Sequence, residues 1–172
     1  MIGELTLSFA GVQIRTQSRK SEVLLACLAL SGNGQMSRQS AAGLLWSDGT
    51  EDAARTSLRQ AVMTIKRALT ASGFDGFEAG RDQLRLDLSK VEVDVLSLSG
   101  AAKSGKVPDL AGLHRFRYAE TLLKGLEGLD ESLVAWISMQ RQVLRDTVTD
   151  ALQAGFQGAA GKLAQQQAWA RA

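Results

Sequence analysis

The sequence predicts an α+β domain at residues 1–98, a linker at 99–108 and an all-α region at 109–172. Three observations predict this. Two stretches, residues 4–15 and 77–87, alternate polar and apolar side chains with the two-residue period of half-buried strands. Between them, apolar residues recur at three- and four-residue steps, the period of a helix with one buried face. From Asp109 onward only the helical period remains.

Composition agrees with a folded and mainly helical protein. The chain has 172 residues, 45% of them hydrophobic, with one proline, enough for one large or two small domains. No apolar run approaches the roughly 20 residues that a membrane helix needs. The Met-Ile-Gly-Glu-Leu start lacks the basic-then-apolar layout of a signal peptide, so a cytoplasmic protein with no membrane partner is expected. Cys27, the single cysteine, lies between Ala26 and Leu28 in an apolar run; it has no partner for an internal disulfide and reads as a small core residue.

Taken in order, Glu4-Leu5-Thr6-Leu7-Ser8-Phe9 and Val12-Gln13-Ile14-Arg15 flank Ala10-Gly11 as a short hairpin. Residues 19–30 form a first helix, with Val23, Leu24, Cys27, Leu28 and Leu30 apolar. Ser31-Gly32-Asn33-Gly34 is a loop on turn chemistry. Ser37 caps a second helix over 38–46, whose Ala41, Ala42, Leu44, Leu45 and Trp46 can pack under the first. Ser47-Asp48-Gly49 then turns the chain into a long helix over 50–69. Thr50 suits its N-cap, Glu51 and Asp52 suit the positive end of its dipole, and Gly73 is its stop. Its buried face is Ala54, Leu58, Ala61, Val62, Ile65, Ala68 and Leu69; Arg55, Thr56, Arg59, Gln60, Met63, Lys66 and Arg67 face away.

A second hairpin follows over 77–87, with Arg81 in its Gly-Arg-Asp tip. Two helices, a long helix of recognition type and a hairpin make a winged helix-turn-helix, in which the wing also grips backbone. Residues 91–95 read as a last strand or an extended crossover, and 100–108 as a loop. Farther on, Leu113, Phe116, Ala119, Leu122 and Leu123 form one helical stripe, residues 124–129 interrupt it, and 133–156 resume it with Leu133, Trp136, Ile137, Gln140, Val143, Leu144, Val148, Leu152 and Phe156. Residues 161–172 read as one more helix, rich in Ala and Gln.

Motifs of catalysis and metal binding are not found. His114 is the only histidine and adjoins Arg115 and Phe116 on a helix, where a structural role outweighs that of a base. One His and one Cys make no zinc constellation. Glycines 32, 34, 43 and 49 precede no Lys-Ser or Lys-Thr pair, and Gly158-Ala159-Ala160-Gly161-Lys162 is followed by Leu163 and lacks the upstream strand of a phosphate loop. No cofactor and no enzymatic activity are expected.

Charge points to the first half of the chain. The formal net charge is only +2, but residues 53–86 hold six cations (Arg55, Arg59, Lys66, Arg67, Arg81, Arg85) against three anions (Asp75, Glu78, Asp82). From Val91 onward nine cations meet nine anions. Arg, Gln, Thr and Lys along one exposed helix face are the side chains that reach phosphates and base edges in a DNA major groove. A merely solvated cationic face explains that helix equally well when it is taken alone.

The residues Arg19-Lys20, Met36-Ser37-Arg38, Leu44-Leu45-Trp46, Ala53-Ala54-Arg55-Thr56-Ser57-Leu58-Arg59-Gln60-Ala61, Lys66-Arg67-Ala68-Leu69, Leu84-Arg85-Leu86-Asp87 and Val93-Asp94-Val95 occur in an order that resembles the OmpR-type winged helix of SARP-type bacterial transcriptional activators. The Tyr118 to Leu126 segment, with Trp136 and Gln140-Arg141-Gln142-Val143-Leu144-Arg145, is similar to the start of the bacterial transcriptional activator domain, a tetratricopeptide-like helical array. The resemblance implies a third helix in the major groove and a wing on the adjacent minor groove or backbone. Carried over by position, Arg55, Thr56, Arg59, Gln60 and Met63 face the groove of double-stranded DNA, with Lys66, Arg67 and Arg81 nearer phosphate. Met63 and Thr64 depart from the polar or basic residues frequent at this turn of the family, and Lys66 stands where Arg is common. The resemblance further implies pairing of two winged helices. The helical region is expected to contact a second copy, RNA polymerase or a further domain of a longer chain; because it stops short of the roughly three repeats that such arrays need, a piece or a shortened relative of a longer regulator is expected. The competing expectation is a protein-interaction module in which the winged helix is only scaffold; Glu51 and Asp52 favour it.

Overall fold

The computed structural model describes residues 4–103, 119–126 and 128–169. It is a mixed α/β architecture with two small antiparallel sheets and, among the described residues, five α-helices. Strands β1 (Leu7–Phe9) and β2 (Val12–Ile14) pair Leu7 with Ile14 and Phe9 with Val12. Ala10 (φ 50°) and Gly11 (φ 79°) join them, and two successive left-handed residues are what a tight hairpin with the native strand twist requires.

Helix α1 (Arg19–Leu30) sits at the centre. Of the apolar residues expected on it, Val23, Leu24, Cys27 and Leu28 are buried and Leu30 is half-buried, and Leu25, Ala26 and Ala29 are buried as well. A helix apolar on all sides is a helix surrounded by other elements. Cys27 lies in that run, and burial pushes its thiol up to about 12. Strand β3 (Gln35–Ser37) was not foreseen. It pairs antiparallel with β5 (Gln83–Leu86), which pairs in turn with β4 (Phe77–Ala79), giving the order β3-β5-β4. Three residues are too few to show a period, and their pairing is set from outside. Asn33 Oδ1 accepts from the Gln35 N–H at 3.0 Å, and the Leu86 N–H donates to the Gly34 carbonyl at 2.7 Å. Gly34, at φ 72°, approaches so closely that a Cβ there would lie 2.1 Å from the Leu86 carbonyl oxygen.

Helix α2 (Arg38–Leu45) is capped by Ser37, whose hydroxyl accepts from the Ser40 N–H at 3.0 Å. Helix α3 (Glu51–Ser72) packs on α2 and α1. After β5 the chain departs from expectation twice. Val91 is extended and no strand is assigned at 91–93; Asp94 opens helix α4 (Asp94–Lys103) instead of continuing a strand, its carboxylate accepting from the Val95 N–H at 2.8 Å. Helix α4 also runs through Gly100 to Lys103, where a loop was expected. A mid-helix glycine costs about 1 kcal/mol, which packing of α4 against the last helix readily offsets. The stripe residues Leu113 and Phe116, with His114 and the rest of 104–118, lie outside the described residues.

Leu122, Leu123 and Leu126 are buried after a short 3-10 turn at Ala119–Thr121; the interruption expected over 124–129 begins earlier, since Leu122 and Leu123, expected on a helical stripe, already lie outside any helix. Helix α5 then spans Glu131–Trp169 without a break. The separate helix expected at 161–172 is therefore the end of α5, as far as Trp169; Gly158 and Gly161 are carried through by neighbouring alanines of high helix propensity. Leu133, Ile137 and Leu144 of α5 join the same apolar cluster as Leu24, Leu28, Leu45, Leu58 and Ile65. Among the described residues no helix is long and apolar enough to cross a membrane.

Candidate nucleic-acid interface

Helix α3 is built as a platform with one face fixed and one face free. The Thr50 hydroxyl accepts from the Ala53 N–H at 3.3 Å, closing the amino end. At the other end Gly73 adopts φ 81°, and Phe74 N–H returns to the Leu69 carbonyl at 3.0 Å. Ala54, Leu58, Ala61, Val62, Ile65 and Leu69 are buried, and Ala68 is half-buried at the edge of the stripe. All seven residues read as facing away, Arg55, Thr56, Arg59, Gln60, Met63, Lys66 and Arg67, are exposed. Twenty-two residues at 1.5 Å each make a rod of about 33 Å, longer than a helix needs to contact several base pairs.

The cations on that face are not equivalent. Arg55 is ion-paired to Glu51 and lies 3.8 Å from Asp52, so the first turn satisfies its own charge. Arg59, Lys66, Arg67 and the hairpin residue Arg81 have no ion pair among the described residues. The positive character of α3 is thus carried by its middle and later turns. Met63 stands among these cations with 63% of its surface exposed.

Arg81 does not lie on α3. It occupies the two-residue turn of the β4–β5 hairpin, closed by the Gly80 N–H donating to the Gln83 carbonyl at 2.9 Å. That turn is held by α2: Arg38 Nε donates to the Gly80 carbonyl at 2.9 Å, and the Arg38 N–H to the Asp82 carbonyl at 2.8 Å. Arg38 is a supporting residue that sequence reasoning missed, since nothing in a helix-opening arginine signals a bond to a turn 42 residues away. Below the same hairpin, Lys90 pairs with Asp75 at 2.9 Å, and the bond and charge of Lys90 hold the Asp75 carboxyl below its usual range.

A second missed feature lies where α3 is launched. Asp130 is 4% exposed and sits at the amino end of α5, where its carbonyl accepts from Val134 N–H and its carboxylate from Ser132 N–H at 3.0 Å. The same carboxylate accepts from Ser47 N–H at 2.9 Å and Ser47 Oγ–H at 2.6 Å, with Lys20 Nζ 3.8 Å away. Burial alone would raise the Asp130 pKa; the bonds from Ser47 and Ser132 and the charge of Lys20 outweigh it and lower it. Lys20 in turn donates to the Leu45 carbonyl and lies 5.5 Å over the Trp46 ring. One buried carboxylate therefore ties α5 to the 46–50 turn that feeds α3.

Among the described residues no group of three His, Cys, Asp or Glu side chains could hold a metal ion. Residues 158–162, the sequence with a faint phosphate-loop spacing, lie within helix α5. No family model matches the chain, and neither does any curated protein or solved structure.

Proposed function

We propose that this chain is a sequence-specific DNA-binding transcription regulator of the winged helix-turn-helix type. Helix α3 enters the major groove, the β4–β5 hairpin acts as the wing with Arg81 on flanking backbone, and the helical second half makes protein contacts with a second copy, RNA polymerase or a further domain. The observation that carries the reading is the outward face of α3, where Arg59, Lys66 and Arg67 stand exposed, with no ion pair among the described residues, on a helix whose opposite face is buried. Arg59 and Gln60 have the donors for base edges, Thr56 a hydroxyl, and Lys66 and Arg67 the charge for phosphate. An α-helix fits a major groove about 12 Å wide.

The pairing of Arg55 with Glu51 favours a second reading, a protein-interaction module with a winged-helix scaffold, since it leaves acidic side chains at the leading end of α3. Comparing Arg59→Ala with Lys66→Ala on a duplex selected from a random pool and on bulk duplex separates the two. On the DNA-reading account Arg59→Ala lowers affinity for the selected duplex by about 1–3 kcal/mol more than for bulk DNA, while Lys66→Ala weakens both alike. Selection that enriches no sequence favours the interaction module.

A further inference from the structure

We infer that Met63 is a specificity-determining residue that reads the 5-methyl group of a thymine. The inference rests on the DNA-reading account of α3. Met63 is 63% exposed in a helix whose other large apolar residues are buried or half-buried. Helix formation does not demand it, because Met, Lys and Gln have nearly equal propensities. Its neighbours on the helix surface, one turn before and one turn after, are Arg59, Gln60, Lys66 and Arg67, all exposed. The outward face is therefore an apolar tip surrounded by cations and an amide.

The exposed apolar side chains of α5 that the structure describes have no such surround. Met139 and Val143 lie one turn apart on α5, and their own neighbours at three and four residues are uncharged apart from Asp146. A partner complementary to Met63 must offer an apolar group inside an anionic frame. Duplex DNA does so at one chemical group. Phosphates line both sides of the major groove, and the thymine methyl is the only apolar substituent that a base edge presents there. With Arg59 and Gln60 on one side and Lys66 and Arg67 on the other, the thioether tip is placed to cover that methyl while its neighbours bond adjacent bases and phosphates.

The test uses the full chain and the duplex it selects from a randomised pool. Each thymine of that duplex is replaced singly by uracil, which removes the methyl and keeps every hydrogen-bonding group. Wild type is expected to lose about fourfold in affinity at one position, the factor for burying one methyl-sized group. Met63→Gln, which keeps length and helix propensity, is expected to bind the thymine and uracil duplexes equally at that position. Equal uracil sensitivity in wild type and Met63→Gln, or none at any position, overturns the role of Met63 while leaving DNA reading intact. If no duplex is enriched and no salt-dependent binding occurs, the reading of α3 itself falls and this inference with it.

Discussion

Replacing Asp130 by Ala removes three hydrogen bonds to one buried carboxylate, and the structure sets the size of the loss. The cap of α5 through Ser132 N–H is worth about 1 kcal/mol. Bonds from neutral donors to a charged acceptor are worth about 1.5–3 kcal/mol each when buried. Ser47 is exposed, so water can replace the carboxylate at its N–H and hydroxyl and reduce that figure. Lys20 keeps the Leu45 carbonyl and the Trp46 ring, so the roughly 3–5 kcal/mol seen when a buried ion pair loses one partner is an upper bound here. The expected destabilisation is therefore about 2–4 kcal/mol, read as a lower urea midpoint with unchanged slope. Asn, which still caps a helix, is expected to cost less than Ala. Ser47→Ala alone is expected to cost about 1 kcal/mol, and the double mutant less than the sum by about 1 kcal/mol, because both substitutions remove the same bond from the Ser47 hydroxyl. Asp130→Ala within 0.5 kcal/mol of wild type, or strict additivity with Ser47→Ala, would refute the view that this carboxylate joins the two halves.

Three further outcomes follow from the same structure. Because the folded-state pKa of Asp130 is lowered, its contribution is fully present above the ordinary aspartate value and is lost as pH falls below it through the folded value; wild type is expected to lose stability faster than Asp130→Asn in acid melts below about pH 4. Cys27, buried with its thiol pushed up to about 12, is expected to resist alkylation at pH 8 until denaturant is added, measured by mass spectrometry; rapid native labelling would show that α1 is not enclosed. Gly34→Ala combines a left-handed φ with a Cβ 2.1 Å from the Leu86 carbonyl oxygen, so a loss of more than about 2 kcal/mol is expected in urea unfolding.

The parts of this fold legible in the sequence are those whose causes are local. Thr50 and Gly73 mark the ends of α3 through a hydroxyl cap and a left-handed stop, and the three- and four-residue spacing of Leu58, Ala61, Ile65 and Leu69 identifies the buried face. The Ala10-Gly11 and Gly80-Arg81-Asp82 turns are legible for the same reason. What was not legible depends on partners far along the chain. Strand β3 is three residues long and exists because β5 lies beside it. The start of α4 at Asp94 follows a run of alternating valines that reads as strand until the Ser97 N–H bonds back to the Val93 carbonyl and the helix begins. Lys20, Ser47 and Asp130 each look like ordinary polar residues at element ends, and only the packing of α5 on α2 brings them together. For the candidate interface the exposed residues of α3 were legible from period alone, whereas the neutralisation of Arg55 by Glu51 and the bracing of the Arg81 turn by Arg38 were not.

The central claim, that the outward face of α3 binds duplex DNA, is tested most directly by fluorescence anisotropy of the full chain on a labelled duplex across a salt series, beside an Arg59→Ala, Arg67→Ala double mutant. Each neutralised phosphate contributes about 0.9 to the fall of log K with log salt, so the double mutant is expected to bind more weakly and to lose about 0.9 of that slope, the share of the phosphate contact assigned to Arg67. Duplex binding whose strength and slope are the same in both proteins would contradict the claim and move the search to a surface other than α3.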